Sequence, residues 1–106
     1  MKLWIDDLRP APDGYVWAKS VNEAKDKILM REMVCSTVLV NAKIIEIVDI
    51  DHDAGDFACD GGDYIKLLDW LEETGRNYPI RIHTQNSVGR ENMRRIIQKN
   101  GWKEVR

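Results

Sequence analysis

The sequence predicts an open, mostly parallel α/β sheet in a single domain. Short apolar or β-branched segments alternate with segments of helical periodicity through most of the chain, a pattern typical of strands joined by helices. Residues 44–50, IIEIVDI, form a nearly continuous apolar run, which indicates a strand buried on both faces and hence a parallel sheet. A length of 106 residues with 43% hydrophobic residues suits one core, so we expect one domain, residues 1–106.

Five strands are predicted: KLWID, YVWA, IIEIVDI, IRIHT and WKEV. The first two are separated only by the turn-rich loop LRPAPDG, which is short for a usual parallel crossover. The pairing of the second strand is therefore left open. STVLVNA, which precedes the third strand, could form an extra edge strand or a hairpin.

Three helices are predicted from apolar residues spaced three and four positions apart. They cover approximately Val21–Met30, Asp63–Thr74 and Ser87–Asn100. Ser20 and Glu23 form a capping box that begins the first helix. Asp63 is expected to cap the second helix, while Gly75 and Gly101 are expected to end the second and third.

Composition limits the location and the class of the protein. No run of about twenty apolar residues occurs, and the N-terminal segment MKLWIDDLRP is charged, so we expect neither a membrane span nor a signal peptide. Cys35 and Cys59 are the two cysteines and form no CxxC pair, which fits a reducing compartment. We therefore expect a cytoplasmic protein.

Charge is distributed unevenly along the chain. Residues 49–75 contain nine acidic residues and one basic residue, Lys66, whereas residues 76–106 contain eight basic residues and two acidic ones. This split is compatible with a site that holds a cation and an anion together, although a solvated acidic loop and a solvated basic helix would give the same count.

Polar residues follow three predicted strands at their carboxyl ends, where open parallel sheets bind ligands. They are Asp6 and Asp7, then Asp51, His52 and Asp53, then His83, Thr84 and Asn86. Carboxylates clustered near a core must be neutralised, and carboxylate oxygens suit hard cations. We therefore expect Mg²⁺ or Mn²⁺ at this edge.

An EF-hand calcium loop is a rival explanation for the spacing of Asp49, Asp51 and Asp53. That loop needs glycine at its sixth position and glutamate at its twelfth. Here those positions are Ala54 and Asp60, and the preceding residues are β-branched. The EF-hand interpretation is therefore rejected.

The order of motifs resembles response-regulator receiver domains. An acidic pair follows the first strand, and the segment YVWAKSVNEAKDKIL resembles the receiver's second strand and helix. An aspartate then ends the third strand, GGDYIKLL comes after it, and a threonine ends the fourth strand. By this resemblance Asp6, Asp7 and Asp51 correspond to the receiver's metal-binding acids, and Thr84 to its hydroxyl position. The first and last receiver helices have no counterpart, and no lysine lies where the receiver's fifth strand places its catalytic lysine. Both differences weaken a phosphorelay function.

DDLRPAP, DHDAGD, IHTQN and VGRENM are similar to a narrower family, the cyclic-phosphate-processing receiver-like domains. The resemblance implies a flavodoxin-like, mostly parallel open sheet with helices on both faces, lacking the first receiver helix. It also implies phosphodiester chemistry on a cyclic phosphate, carried by a small molecule or by an RNA end in RNA processing.

A chemical hypothesis follows for the individual residues. Asp6, Asp7 and Asp51 would bind the metal, and His83 would give a proton to the leaving oxygen, with His52 as a second proton-transfer candidate. Phosphate would be held by residues near the start of the third helix and by one loop arginine, namely Thr84, Asn86, Gly89, Arg90 and Arg9.

Several of these assignments have alternatives. Asp53 is a weaker candidate that would only support a metal ligand, and Arg9 could simply brace its loop. A different function also stays open, in which Asp51 accepts a phosphoryl group in signalling, or the domain binds phosphate without turnover.

Overall fold

A computed structural model describes residues 1–36 and 44–106 of the chain. Five parallel strands form one sheet in the order β2-β1-β3-β4-β5. The strands are β1 (Lys2–Ile5), β2 (Tyr15–Ala18), β3 (Ile47–Ile50), β4 (Ile80–Ile82) and β5 (Glu104–Val105). The helices are α1 (Val21–Ser36), α2 (Ile65–Glu73) and α3 (Ser87–Asn100), and a short 3₁₀ helix covers Gly55–Cys59. The predicted parallel α/β fold, of flavodoxin-like arrangement, is confirmed.

The second strand pairs with β1 in parallel, from Lys2 opposite Tyr15 to Ile5 opposite Ala18. The loop of residues 6–14 is therefore long enough for a parallel return. The reason is that β1 has only four residues, so the chain must travel back only about 13 Å at roughly 3.3 Å per residue.

Two helix starts differ in how they are capped. The Oγ of Ser20 accepts the N–H of Glu23 at 3.0 Å, as the predicted cap of α1 requires. The expected cap of α2 is wrong: Tyr64 occupies the cap position, and the Asp63 carboxylate instead accepts the N–H of Ala54 at 3.1 Å. Asp63 therefore fastens the loop after β3 rather than the helix.

The first helix extends to Ser36, beyond its predicted end near residue 30. The segment STVLVNA, apart from Ser36 at that helix end, lies outside the described residues. Within the described part of the chain, none of the helices has the length and apolar character needed to cross a bilayer.

One face of the sheet carries the core. The buried strand residues in the core cluster alternate along each strand, and they are Leu3, Ile5, Ala18, Val48, Ile50 and Ile80. The buried hydrophobic residues of α1, α2 and α3 belong to this same cluster, and α2 contacts both other helices. The expectation of helices on both faces is therefore not met among the described residues, because all three pack on this core face.

The opposite face, which we call the open face, presents Lys2, Trp4, Tyr15, Trp17, Asp49 and Arg81. Among the described residues no helix covers it. The loop of residues 6–14 covers it in part, since Trp4 Nε1 donates to the carbonyl of Arg9 at 2.8 Å and Trp17 Nε1 donates to that of Asp6 at 2.7 Å. This loop thus connects the two strands between which the family resemblance predicts that the first receiver helix is missing.

Candidate functional site

The carboxyl ends of β1, β3 and β4 bring three predicted site residues together. Ile5, Ile50 and Ile82 lie side by side in the sheet, so the residues that follow these strands share one edge. Potential ligand atoms of Asp6, Asp51 and His83 all lie within 4.8 Å of one another. His83 therefore joins the acidic cluster itself, whereas we had expected it only as a proton donor.

The imidazole of His83 is held between two carboxylates. Its Nδ1 lies 2.6 Å from Oδ1 of Asp49, and its Nε2 lies 3.0 Å from Oδ2 of Asp6. The ring also stacks on Trp4, with centroids 3.8 Å apart and planes 5° from parallel. A neutral imidazole donates from one nitrogen only, whereas a protonated ring donates from both, so the chemistry of this site depends on the proton that His83 carries.

Asp49 belongs to the candidate site, although it is not among the site residues predicted from the sequence. In the sequence it matches only a position of the rejected EF-hand loop, yet its side chain is fully buried and also contacts Nη1 of Arg81 at 3.1 Å. A signal was present, since an aspartate between Val48 and Ile50 points to the opposite face from its apolar neighbours. A buried carboxylate needs partners. Arg81 and His83, the second and fourth residues of the segment IRIHT, supply them.

Asp6 is fastened mainly by its own loop. Its Oδ1 accepts the backbone N–H groups of Leu8 and Arg9, each at 2.9 Å, while Nε of Arg9 lies 3.4 Å from its Oδ2. Burial alone would raise the pKa of Asp6, but the hydrogen bonds from these N–H groups and from His83 outweigh it, so the pKa falls below its usual range. Asp6 is therefore held as a carboxylate.

Asp7 and Asp51 complete the acidic edge. Asp51 accepts the N–H of His52 at 2.7 Å, and its Oδ2 lies 3.8 Å from Nη2 of Arg9, so this arginine touches both Asp6 and Asp51. Burial raises the pKa of Asp7, and the carboxylates of Asp6, Asp51 and Asp56 add to the rise. Excess negative charge thus remains at this edge despite Arg9.

A second histidine lies beside the acidic edge. Nδ1 of His52 is 2.8 Å from Oδ1 of Asp53, which makes Asp53 a partner of this histidine. The ring packs against the first turn of α3 so closely that a Cβ at Gly89 would overlap it. Among the described residues no hydrogen bond reaches Nε2 of His52, so this nitrogen is the available one.

The predicted phosphate-binding residues build the start of α3. Asn86 caps the helix by accepting the N–H of Gly89 at 2.9 Å. Thr84 is buried and accepts the N–H of Asn86 at 3.2 Å, and Arg90 donates to the carbonyl of Thr84. The N–H of Gly89 is therefore already engaged. A helix leaves its first-turn N–H groups without intrahelical partners, so the amides of residues 87 and 88 are better placed to meet an anion.

The donor set of this site suits a divalent metal. The converging groups are two carboxylates and an imidazole, from Asp6, Asp51 and His83. Asp49 contacts the other nitrogen of the imidazole, as a carboxylate outside the ligand set commonly does for metal-binding histidines. Imidazole suits Mn²⁺ or a later transition metal better than Mg²⁺, which prefers oxygen ligands. Asp7 lies outside this group, so the set differs from the predicted one by exchanging Asp7 for His83.

The parallel sheet with acids at its carboxyl edge defines a receiver-like α/β domain. Residues 1–99 match the family model of the cyclic-phosphate processing receiver domain, and the chain belongs to that family. The resemblance inferred from the sequence is thereby confirmed, and the family description points to a role in cyclic-phosphate processing. Neither the curated proteins nor the solved structures compared with the chain gave a significant match.

Proposed function

We propose that this domain opens a cyclic phosphodiester at the carboxyl edge of its sheet with the help of Mn²⁺ or Mg²⁺. The observation that carries the proposal is the position of His83, fixed by Asp49 on one side and facing Asp6 on the other. A buried histidine held in this way with its second nitrogen toward carboxylates is the arrangement of a metal ligand with its supporting carboxylate.

Asp6, Asp51 and His83 would hold the metal, with Asp7 close by. When bound, the ion would neutralise charge on the phosphoryl group and lower the pKa of a water molecule. Asp49 would keep the Nδ1 proton of His83, which leaves the lone pair of Nε2 directed into the site. This role for His83 replaces the proton donation that we inferred from the sequence.

His52 is then the better proton donor. Asp53 holds its Nδ1 at 2.8 Å, which orients the ring and leaves Nε2 to face a bound ligand. Opening the ring forms one bond from phosphorus to the attacking oxygen and breaks the bond to the leaving oxygen, which takes the proton from Nε2. The substrate phosphate would lie between Arg9, whose side chain is half exposed, and the first-turn amides of α3.

The proposal is tested by mixing the protein with Mn²⁺ or Mg²⁺ and a panel of cyclic phosphates, followed by phosphorus NMR. The panel contains 2′,3′-cyclic nucleotides, an RNA with a cyclic-phosphate end and cyclic dinucleotides. We expect metal-dependent ring opening that is lost in Asp51→Asn and His83→Gln. Asp26→Asn, an exposed change on α1, is the matched control and should keep full activity. Turnover that survives both site variants would overturn the proposal.

Receiver-type signalling is the second candidate, because Asp51 lies at the end of β3 beside the acids that the receiver resemblance assigns to metal binding. It requires Asp51 to accept a phosphoryl group from a small phosphodonor with Mg²⁺. Intact mass spectrometry would detect that adduct, and its loss in Asp51→Asn would support this function. An unmodified mass would remove it.

A further inference from the structure

We propose that the open face binds a single strand of RNA whose cyclic-phosphate end occupies the site at the carboxyl edge. The inference deepens the proposed function, on which it rests for what fills the site. It selects the RNA end over the small cyclic nucleotide as the substrate class.

The open face is continuous with the site through a chain of ring contacts. Nζ of Lys2 lies 5.7 Å from the ring centroid of Tyr15, and the rings of Tyr15 and Trp4 meet edge to face at 6.0 Å. Trp4 in turn stacks on His83 at 3.8 Å. Beside them Lys19 lies over the ring of Trp17 at 4.6 Å. Trp4 itself is buried at 8% exposure. A ligand that leaves the site across this face therefore meets the partly exposed rings of Tyr15 and Trp17 and the two lysines.

The charge of this face complements a polyanion. Lys2 and Arg81 are exposed and Lys19 is half-buried, while the acid among the residues that define the face, Asp49, is fully buried and already paired with His83 and Arg81. The whole chain has a net charge of −2, so this positive surface is a local feature. Cations beside the partly exposed rings of Tyr15 and Trp17 suit phosphates and bases of an unpaired strand.

Between the two kinds of nucleic acid strand, the chemistry of the ligand favours RNA over DNA. A five-membered cyclic phosphate at the end of a chain requires neighbouring hydroxyl groups on the ribose, which the 2′-hydroxyl of RNA provides. A second copy of this chain is a poorer occupant, because a symmetric contact would place this positive face against an identical positive face.

The test is fluorescence anisotropy with labelled RNA of about eight nucleotides, within the range that single-strand modules bind. Two matched RNAs end in a cyclic phosphate or in a free 3′-hydroxyl, and an unlabelled 2′,3′-cyclic mononucleotide serves as competitor. The variant is Lys2→Glu with Lys19→Glu. The control is Lys27→Glu with Lys66→Glu, which makes the same charge change on α1 and α2 over the core face. Circular dichroism verifies folding of both.

We expect both RNAs to bind, and the open-face variant to bind them about tenfold more weakly. The slope of log affinity against log salt concentration should become about 1.4 less steep, the value for two lost phosphate contacts. The control should change affinity by less than about twofold, since screening mutes distant charges. Absence of RNA binding, or an equal loss in the control, overturns the inference. So does a dimer, seen by sedimentation, that the open-face variant dissociates.

The two proposals fail in different ways. RNA binding without ring opening of any cyclic phosphate would leave the open-face inference standing and remove the proposed function. Ring opening of a cyclic mononucleotide as efficient as that of the RNA end, with no RNA affinity, would do the reverse.

Discussion

Replacing Asp49 perturbs the fold and the site together, because this side chain is fully buried while its two partners differ in exposure. His83 is 8% exposed and Arg81 is 46% exposed. Asp49→Asn keeps the volume but turns one of two accepting oxygens into a donor. Arg81 can then turn into water, so the remaining oxygen should stay with Nδ1 of His83.

The structure therefore ranks three variants by the free energy of unfolding. Asp49→Asn exchanges a charge-assisted bond to His83 for a neutral one and should cost the difference between the two, about 1–1.5 kcal/mol. Asp49→Ala leaves the imidazole without its buried partner, which should cost about 3–5 kcal/mol. Arg81→Met breaks only the half-exposed pair and should cost less than about 1 kcal/mol.

Urea unfolding at neutral pH, monitored by tryptophan fluorescence, measures these differences. Asp26→Asn on the surface of α1 serves as the control and should leave the free energy of unfolding nearly unchanged. Nitrogen NMR of the histidine side chains adds a second readout, since the Nδ1 proton of His83 should persist in Asp49→Asn and be lost in Asp49→Ala. Equal stability of wild type and Asp49→Asn, or a larger loss in Arg81→Met, would refute the ranking.

Three further predictions concern other sites. Arg76 hydrogen-bonds to Glu32 and lowers its pKa below 4.5, so Glu32→Gln should lower the free energy of unfolding by about 1 kcal/mol near neutral pH. In urea unfolding this difference should disappear as acid protonates Glu32, and a pH-independent difference would contradict the prediction. Gly89→Ala should displace the imidazole of His52 and lower the rate at which the cyclic phosphate is opened, although alanine ordinarily stabilises a helix by about 1 kcal/mol relative to glycine. An unchanged rate, with the NMR signals of His52 unmoved, would contradict this prediction. Mn²⁺ should raise the melting temperature of the wild type but not of His83→Gln, and equal shifts would exclude His83 as a ligand.

The sheet and its edge were predictable because apolar periodicity and strand ends are local features. The continuous run through Ile50 predicted a parallel strand, and Asp6, Asp51 and His83 were all expected at one edge. The pairing of His83 with Asp49 was not, since it joins residues 34 positions apart. It depends on the pairing of β3 with β4, which brings together residues that are distant in the sequence.

Other differences arise from competition between side chains for the same backbone groups. Asp63 has the right type and place to cap α2, but the N–H of Ala54 reaches it across the loop. Asn86, expected to bind phosphate, is the cap of α3, and its oxygen holds Gly89. Both roles suit these residue types equally well, so only the folded loop decides between them.

The loop of residues 6–14 connects the fold to the proposed chemistry. Its backbone fixes Asp6 as a carboxylate through the N–H groups of Leu8 and Arg9, and its carbonyls fasten Trp4 and Trp17 on the open face. A helix packed across this face would cover the tryptophans and Arg81 together. Because a short loop takes that place, the rings of Tyr15 and Trp17 stay partly exposed. The buried stack of His83 on Trp4 then connects the site to this surface from beneath.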